Sequence, residues 1–224
     1  MKSEAKVKRT YESRLRAGQA RATRLALLEA AGRLFAERGY VATSIEEIAE
    51  AAGVSRATVF TSVGGKPALL KAAYDVALVG DDEPAPMPER PDSLRTKAEP
   101  DPYKHLAMYA AIVTGIQGRT ARINEAIRGA AGADPEARDL WRKVQSERAV
   151  GAQHVIEFLE QKGPLRAGLD RQEAIDLVWT LIEPGPYFQL VHQRGWTPER
   201  FQAWLTDTLH AQLLPPRRRR SSRR

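Results

Sequence analysis

The 224-residue chain contains no cysteine and only four histidines. It therefore offers no disulfide, no thiolate-bound zinc or iron–sulfur cluster and no cysteine nucleophile. The histidines are far apart and form no pair at metal-ligand spacing, so we expect no metal site and no cofactor. No run of about 18 apolar residues is present and the N-terminus has no apolar signal core, so we expect a cytoplasmic protein without a membrane span.

Charge is unevenly distributed along the chain. Residues 1–70 contain 12 Lys and Arg against 7 Asp and Glu, residues 71–216 contain 17 against 21, and residues 217–224 contain 6 against none. A basic head followed by a mildly acidic body indicates that the head contacts a polyanion and that the body has another role. With 42% hydrophobic residues, the chain is long enough for one or two folded domains.

Apolar residues recur at three- and four-residue spacing along most of the chain, and no segment alternates with a period of two. The sequence therefore predicts an all-α protein. Thr43 and Glu46 fit a capping box, Ser55 is suited to cap a helix, and Pro67 suits a first helical turn. The helices predicted in the head are 21–38, 44–52, 56–63 and 67–79. Longer ones follow Pro102, Pro135 and Thr197, and residues 173–182 form a further strongly apolar helical segment.

Residues 44–63 meet the packing requirements of a helix-turn-helix. Its two helices cross closely, so the first needs a small residue (Ala49), the turn needs a residue that tolerates positive φ (Gly53), and the second needs a buried β-branched residue (Val59). With the helix before them, these segments predict a three-helix DNA-binding head whose last helix enters the major groove. On spacing alone, a helical hairpin that binds nothing is the alternative.

The stretch LLEAAGRLFAERGYVATSIEEIAEAAGVSRATVF, followed by Lys66 and Leu69-Leu70, resembles the N-terminal domain of the TetR family of bacterial transcriptional regulators. The later LVHQRGWTPERFQAWLTDTL is similar to the closing helices of a common subgroup that pairs through its last helices. The resemblance implies a ligand-responsive repressor that binds a palindromic operator on double-stranded DNA as a homodimer. The expected segments are a flexible basic leader (1–20), the helix-turn-helix domain (21–66), a helical effector-binding and dimerisation body (67–213) and a disordered arginine-rich tail (214–224).

The resemblance places the recognition helix from Arg56 to about Ser62. Arg56 is suited to read guanine through O6 and N7, and Ala57 and the Thr58 methyl are suited to a thymine methyl. Phe60 stands where the family usually has tyrosine, so one hydroxyl contact to a phosphate is missing there, and Thr61 and Ser62 also depart from the usual residues. The candidates for phosphate contacts are Thr43, Thr61, Ser62 and Lys66.

Several residues of the body are candidates for an effector pocket between helices. Aromatic residues at helical spacing equally fit a plain core, so for Trp141 and Trp179 both interpretations stay open. Because few charged residues fall among the candidates, we expect a small and largely apolar effector. The pocket candidates are Tyr109, Ile112, Ile116, Trp141, Gln145, Trp179 and Tyr187.

A head that reads DNA favours a homodimer, because one recognition helix contacts too few base pairs to specify a genomic site. An effector in the body would then tilt helix 67–79 and change the spacing of the two heads. The candidates for the dimer interface, for which burial inside one chain is the alternative, are Leu181, Ile182, Leu190, Trp204, Leu205 and Leu209.

Three rival functions fit parts of the sequence. An enzyme is disfavoured, because the GVSRA segment at 53–57 lacks the final glycine of a nucleophile elbow and GGK at 64–66 lacks the other residues of a P-loop. We therefore expect no catalytic residues. A sequence-independent nucleic-acid binder would use the basic leader and tail. A helical ligand-binding protein with a degenerate head would explain the departures at residues 60–62.

Overall fold

The computed structural model describes residues 2–80, 86–132 and 134–216, with side chains from residue 17 onward. Over this part of the chain every regular element is helical and no strand is present, as the sequence predicts. The helices are α1 (Lys2–Arg38), α2 (Ile45–Ala51), α3 (Arg56–Ser62), α4 (Lys66–Val79), α5 (Pro91–Ala98), α6 (Pro102–Ala130), α7 (Pro135–Glu160), α8 (Arg171–Leu181), α9 (Pro184–Tyr187) and α10 (Pro198–Leu213). A π-helical turn, Phe188–Gln193, follows α9. Residues 217–224 of the predicted tail lie outside the described residues.

The first helix begins at Lys2, whereas the basic composition of residues 1–20 predicts a flexible leader. Residues 2–17 contain neither proline nor glycine, so no helix-breaking residue type interrupts this segment. The helix ends at Gly39, which has φ +78°.

The capping box of α2 lies one residue later than predicted. Ser44, not Thr43, is the N-cap: its hydroxyl accepts from the Glu47 backbone N–H, and the Glu47 carboxylate accepts from the Ser44 backbone N–H. Thr43 is buried, and its hydroxyl donates to the carbonyls of Leu34 at 3.2 Å and Gly39 at 2.8 Å. Thr43 therefore ties the turn to the end of α1 and is not available as a phosphate contact.

The chain divides into two compact units. The head unit contains residues 1–82 and 122–140, and the body unit contains residues 83–121 and 141–224. Helix 67–79 was expected to belong to the body, but α4 lies in the head unit together with the turn between α6 and α7. In the head unit three helices meet at Gly32: a Cβ there would make ordinary van der Waals contacts, 3.5 Å from Ile123 Cδ1 on α6 and 3.8 Å from Ala73 Cβ on α4.

The core of the body unit contains several residues that were predicted to line the effector pocket or the dimer interface. Tyr187, a pocket candidate, is buried against the Phe201 ring, with centroids 4.9 Å apart. Leu205 and Leu209 are fully buried and Ile182 nearly so, which corrects their assignment to the dimer interface. An apolar residue at helical spacing satisfies a core and an interface equally well, so spacing alone could not separate the two roles.

None of the helices in the described part of the chain is long and apolar enough to cross a membrane.

Substitution of Gly53 tests whether the turn of the helix-turn-helix depends on the left-handed backbone conformation of this residue. Its φ is +66°, and a Cβ would meet nothing within 4 Å, so Gly53→Ala adds strain without a clash. We expect a loss of about 1–2 kcal/mol in the free energy of unfolding, measured by urea denaturation. Gly151→Ala, in the middle of α7 and also in open space, is the matched control and should gain about 0.5–1 kcal/mol. Equal effects of the two substitutions would contradict this view of the turn.

Candidate nucleic-acid interface

The turn between α2 and α3 has the geometry that a helix-turn-helix requires. Gly53 adopts the left-handed conformation, and the Val54 N–H donates to the Ala49 carbonyl at 2.9 Å. Ala49 and Val59 are both buried, as their spacing predicts. Ser55 caps α3, because its hydroxyl accepts from the Thr58 N–H at 3.1 Å. The predicted positions therefore form one packed unit.

The outer face of α3 carries most of the residues predicted to contact DNA. Arg56, Ala57, Phe60 and Thr61 are exposed, and Thr58 and Ser62 are partly exposed. The Thr61 hydroxyl donates within its own helix to the Ala57 carbonyl at 3.0 Å, so it would exchange that bond for one to a phosphate oxygen, which is also an acceptor. Phe60 keeps 44% of its surface exposed, an unusual state for a phenylalanine in the middle of a helix.

Arg56 is held in place by two neighbours. Its Nη1 lies 2.9 Å from Glu46 Oε1 on α2, and its guanidinium lies 5.5 Å from the centre of the Phe60 ring. Both charged side chains are more than half exposed, at 64% and 59%. An exposed ion pair of this kind stabilises the fold by about 1 kcal/mol or less. Breaking the pair with Glu46 so that Arg56 binds another acceptor therefore costs little free energy.

Two head contacts were not anticipated from the sequence. Arg24 on α1 donates from Nη1 to the Ser62 carbonyl at 2.5 Å, which fixes the end of α3 to α1. Tyr40, just after α1, donates its hydroxyl to Asp134 Oδ2 at 2.6 Å. Asp134 also accepts from the Glu136 N–H at the start of α7. No local motif marks such pairs, because their members are 38 and 94 residues apart.

Lys66 lies at the start of α4 within the same cluster. Its Nζ is 4.4 Å from the centre of the Tyr40 ring and 3.4 Å from the Val41 carbonyl oxygen. Burial lowers the pKa of Lys66, while the charges of Asp134 and Glu47 act in the opposite direction. The lysine is therefore partly buried and anchored, and not the freely solvated charge that a helix terminus often carries.

The structure brings part of the predicted effector site together in the body unit. The Trp179 Nε1–H donates to the Gln145 carbonyl at 3.4 Å, and Arg148, one turn beyond Gln145, lies 4.7 Å from the Trp179 ring. The charge of Arg148 also acts on the Tyr109 hydroxyl. Three other pocket candidates are partly buried in the same unit: Ile112, Ile116 and Trp141. The described residues contain no group of three side chains suited to hold a metal ion.

Comparison with known proteins identifies the family. The sequence profile described as "Bacterial regulatory proteins, tetR family" matches residues 27–73. An uncharacterised HTH-type transcriptional regulator of Bacillus subtilis (strain 168), YdeS, is 30% identical over 167 residues, covering 74% of this chain and 76% of the relative. This chain belongs to the TetR family of bacterial regulatory proteins.

Solved structures share the TetR-family fold. NalD of Pseudomonas aeruginosa, described as the secondary repressor of the MexAB-OprM multidrug efflux pump, aligns with a TM-score of 0.65 and 23% identity over 88% of this chain and 98% of its own. A transcriptional regulator from Saccharomonospora viridis, crystallised with choline, aligns with a TM-score of 0.62 and 20% identity over 85% and 96%. The all-α fold with an N-terminal helix-turn-helix is thereby confirmed.

The Tyr40 hydroxyl is expected to make stability depend on pH through Asp134. Its hydrogen bond is the main cause of the lowered pKa of Asp134. A lowered carboxyl pKa stabilises the fold above the unfolded value of about 3.9, and that contribution is lost as the pH falls through the folded pKa. Tyr40→Phe should therefore reduce the free energy of unfolding at pH 7, and its deficit should shrink between about pH 5 and pH 3.

Tyr103→Phe is the matched control, because the Tyr103 hydroxyl donates to the uncharged carbonyl of Pro215. Its cost should stay constant over the same pH range in urea denaturation. A deficit of Tyr40→Phe that is equally constant would contradict the role of Asp134.

Proposed function

We propose that this TetR-family chain is a ligand-responsive repressor that binds a palindromic operator as a homodimer. In this function α3 reads base edges in the major groove, with Arg56 on guanine and Ala57 and Thr58 on a thymine methyl. Thr61, Ser62 and Lys66 contact phosphates, and a body ligand weakens DNA binding. The chain acts as a regulator and not as an enzyme.

The outward face of α3 carries the proposal. Val59 is fully buried and anchors the helix, while Arg56, Ala57, Phe60 and Thr61 remain exposed on its other side. A helix of this length with one buried residue contributes little to a core, and its exposed face combines a guanidinium, methyl groups and a hydroxyl. Those are the groups that read bases and phosphates in the major groove. The exposed Phe60 is suited to pack against a thymine methyl in place of a hydroxyl contact.

Coupling between effector and DNA is proposed to run through α4. The helix buries Leu69, Leu70, Ala73 and Tyr74, and Ala73 lies beside Gly32 of α1. At its start, Lys66 contacts Tyr40, which is bonded to Asp134 in the turn between α6 and α7. Because α6 and α7 each have residues in both units, a ligand that shifts these helices would change the environment of α4 and of Lys66.

Dimerisation is proposed to use the partly exposed apolar residues near the C-terminal end of the body. Of the predicted interface residues, Leu181, Leu190 and Trp204 keep part of their surface exposed in the single chain. They lie on α8, in the π-helical turn and on α10. Partly exposed apolar side chains of this kind are suited to pack against a second copy of the chain, while the fully buried ones form the core of each copy.

Arg56→Ala tests sequence reading by the head. Against the best site from a genomic-fragment selection, we expect a loss of about 1–3 kcal/mol, roughly 5- to 150-fold in Kd, with relaxed preference at one base position. Fluorescence anisotropy at two salt concentrations gives the measurement. Arg171→Ala, an exposed arginine of α8 that is paired with Glu160, is the matched control and should leave the affinity unchanged.

The same assay separates the proposal from its rivals. A selection that enriches no sequence, with binding lost on removal of residues 217–224 and unaffected by Arg56→Ala, would replace the repressor proposal with that of a sequence-independent binder.

Lys66→Ala, in contrast to Arg56→Ala, should weaken binding to all sequences alike and lower the logarithmic salt slope by about 0.9.

A further inference from the structure

A charged side chain lies inside the body unit beside the predicted effector residues. Arg148 on α7 keeps only 10% of its side-chain surface exposed. Its guanidinium lies 4.7 Å from the centre of the Trp179 ring, and its Nη1 lies 3.7 Å from Glu183 Oε1. Burial of a guanidinium is expensive, so its position beside an aromatic face calls for a specific reason.

The groups around Arg148 are mostly hydrogen-bond donors. Gln145, one turn earlier on the same helix, has its Nε2 buried without a hydrogen-bond partner among the described residues. Tyr109 adds a hydroxyl that is protonated at neutral pH, as any tyrosine is, and burial raises its pKa further. A buried donor that lacks an acceptor costs about 1–3 kcal/mol, and an acceptor carried by a ligand would remove that cost for Gln145.

The nearby carboxylate already has a structural task. Glu183 is the N-cap of α9, and its Oε2 accepts from the Gly185 N–H at 2.5 Å. The Glu183 backbone carbonyl in turn accepts from Gln117 Nε2 at 3.3 Å. The Glu183 carboxylate therefore fixes the turn after α8 and already lies beside the positive charge of Arg148. It is poorly suited to bind a second positive charge carried by a ligand. The site is better complemented by an acceptor than by a donor.

The aromatic face defines the rest of the ligand. Trp179 retains 36% of its surface exposed although its Nε1–H is bonded to the Gln145 carbonyl. Its ring is thus held in a fixed orientation beside the guanidinium while part of its surface stays open. A planar apolar body packs well on such a surface. Because a guanidinium has five N–H donors, Arg148 is suited to bind a ligand carboxylate in addition to its protein partners.

We propose that the effector of this regulator is a planar aromatic acid, whose carboxylate is bound by Arg148 and Gln145 and whose ring packs against Trp179. The inference rests on the proposed function, since it names the ligand class of the body site in a ligand-responsive repressor. It also revises the expectation of a largely apolar effector: the ligand has an apolar body, but one anionic group determines its recognition.

Matched acid and amide probes test this assignment. Benzoate and 1-naphthoate are compared with benzamide and 1-naphthamide by isothermal titration of the full-length protein, with choline as a cationic probe. We expect at least one acid to bind about tenfold or more tightly than its amide, because a charge-assisted hydrogen bond contributes about 1.5–3 kcal/mol. Choline should not bind. Acid and amide of equal affinity, binding of choline in preference to the acids, or no binding of either acid would overturn the proposal.

Substitution of Arg148 tests whether this residue binds the carboxylate of the ligand. Arg148→Lys keeps the charge but removes the planar fork, and should weaken acid binding about tenfold without changing amide binding. Arg142→Lys, an exposed arginine on the same helix, is the control and should change neither. Equal acid affinity in wild type and in a folded Arg148→Lys protein would remove Arg148 from the site. The comparison of acid with amide on the wild type stands even where Arg148→Lys does not fold.

Operator binding measured on the same preparation separates the two hypotheses. A protein that binds an operator but prefers no acid would retain the repressor function and lose this ligand assignment. A protein that binds the acids through Arg148 but no DNA sequence would retain the ligand site and lose the repressor function.

Discussion

The head depends on how a seven-residue helix is held in place. A helix as short as α3 does not form by itself in water, because nucleation costs more than so few hydrogen bonds return. Its position therefore comes from its surroundings: the buried Val59, the Ser55 cap and the bond from Arg24 to the Ser62 carbonyl. Since these three contacts use one face and the two ends of α3, the remaining side chains are left for the proposed contacts with DNA.

A second constraint connects residues that are distant in the chain. Tyr40, Lys66 and Asp134 come from the end of α1, the start of α4 and the turn before α7, and they form one cluster of a ring, a cation and a carboxylate. Each contact is modest, but the cluster places a lysine suited to phosphate in contact with the turn that joins two helices shared by both units. A change in that turn would therefore alter the environment of Lys66 through Tyr40.

Local signals explain what the sequence predicted well, and their limits explain the errors. Gly53, Ser55 and Thr197 act through neighbouring backbone groups, so their roles follow from a few residues. Thr43 and Ser44 are each followed three residues later by glutamate, so either fits a capping box. Only the packing of Thr43 against the Leu34 carbonyl decides between them.

The body illustrates the same limit at longer range. Leu205 and Leu209 have the spacing of an interface and of a core, and only the assembled fold shows that they are buried. Arg148 was not a candidate because a charged residue on a helix is usually exposed. Its burial depends on Trp179 and Glu183, which lie more than 30 residues away and carry no local signal for it.

The two arginines proposed to bind ligands work in opposite electrostatic regimes. Arg56 is exposed and exchanges Glu46 for a base in water, so salt screens its interactions and the DNA complex weakens as ionic strength rises. Arg148 is largely buried beside Trp179, where a charge interacts more strongly and salt screens it less. In the proposed mechanism, effector binding therefore keeps its affinity over conditions in which DNA binding changes by orders of magnitude. In this mechanism the fraction of operator that is bound depends on salt through the head and on effector concentration through the body.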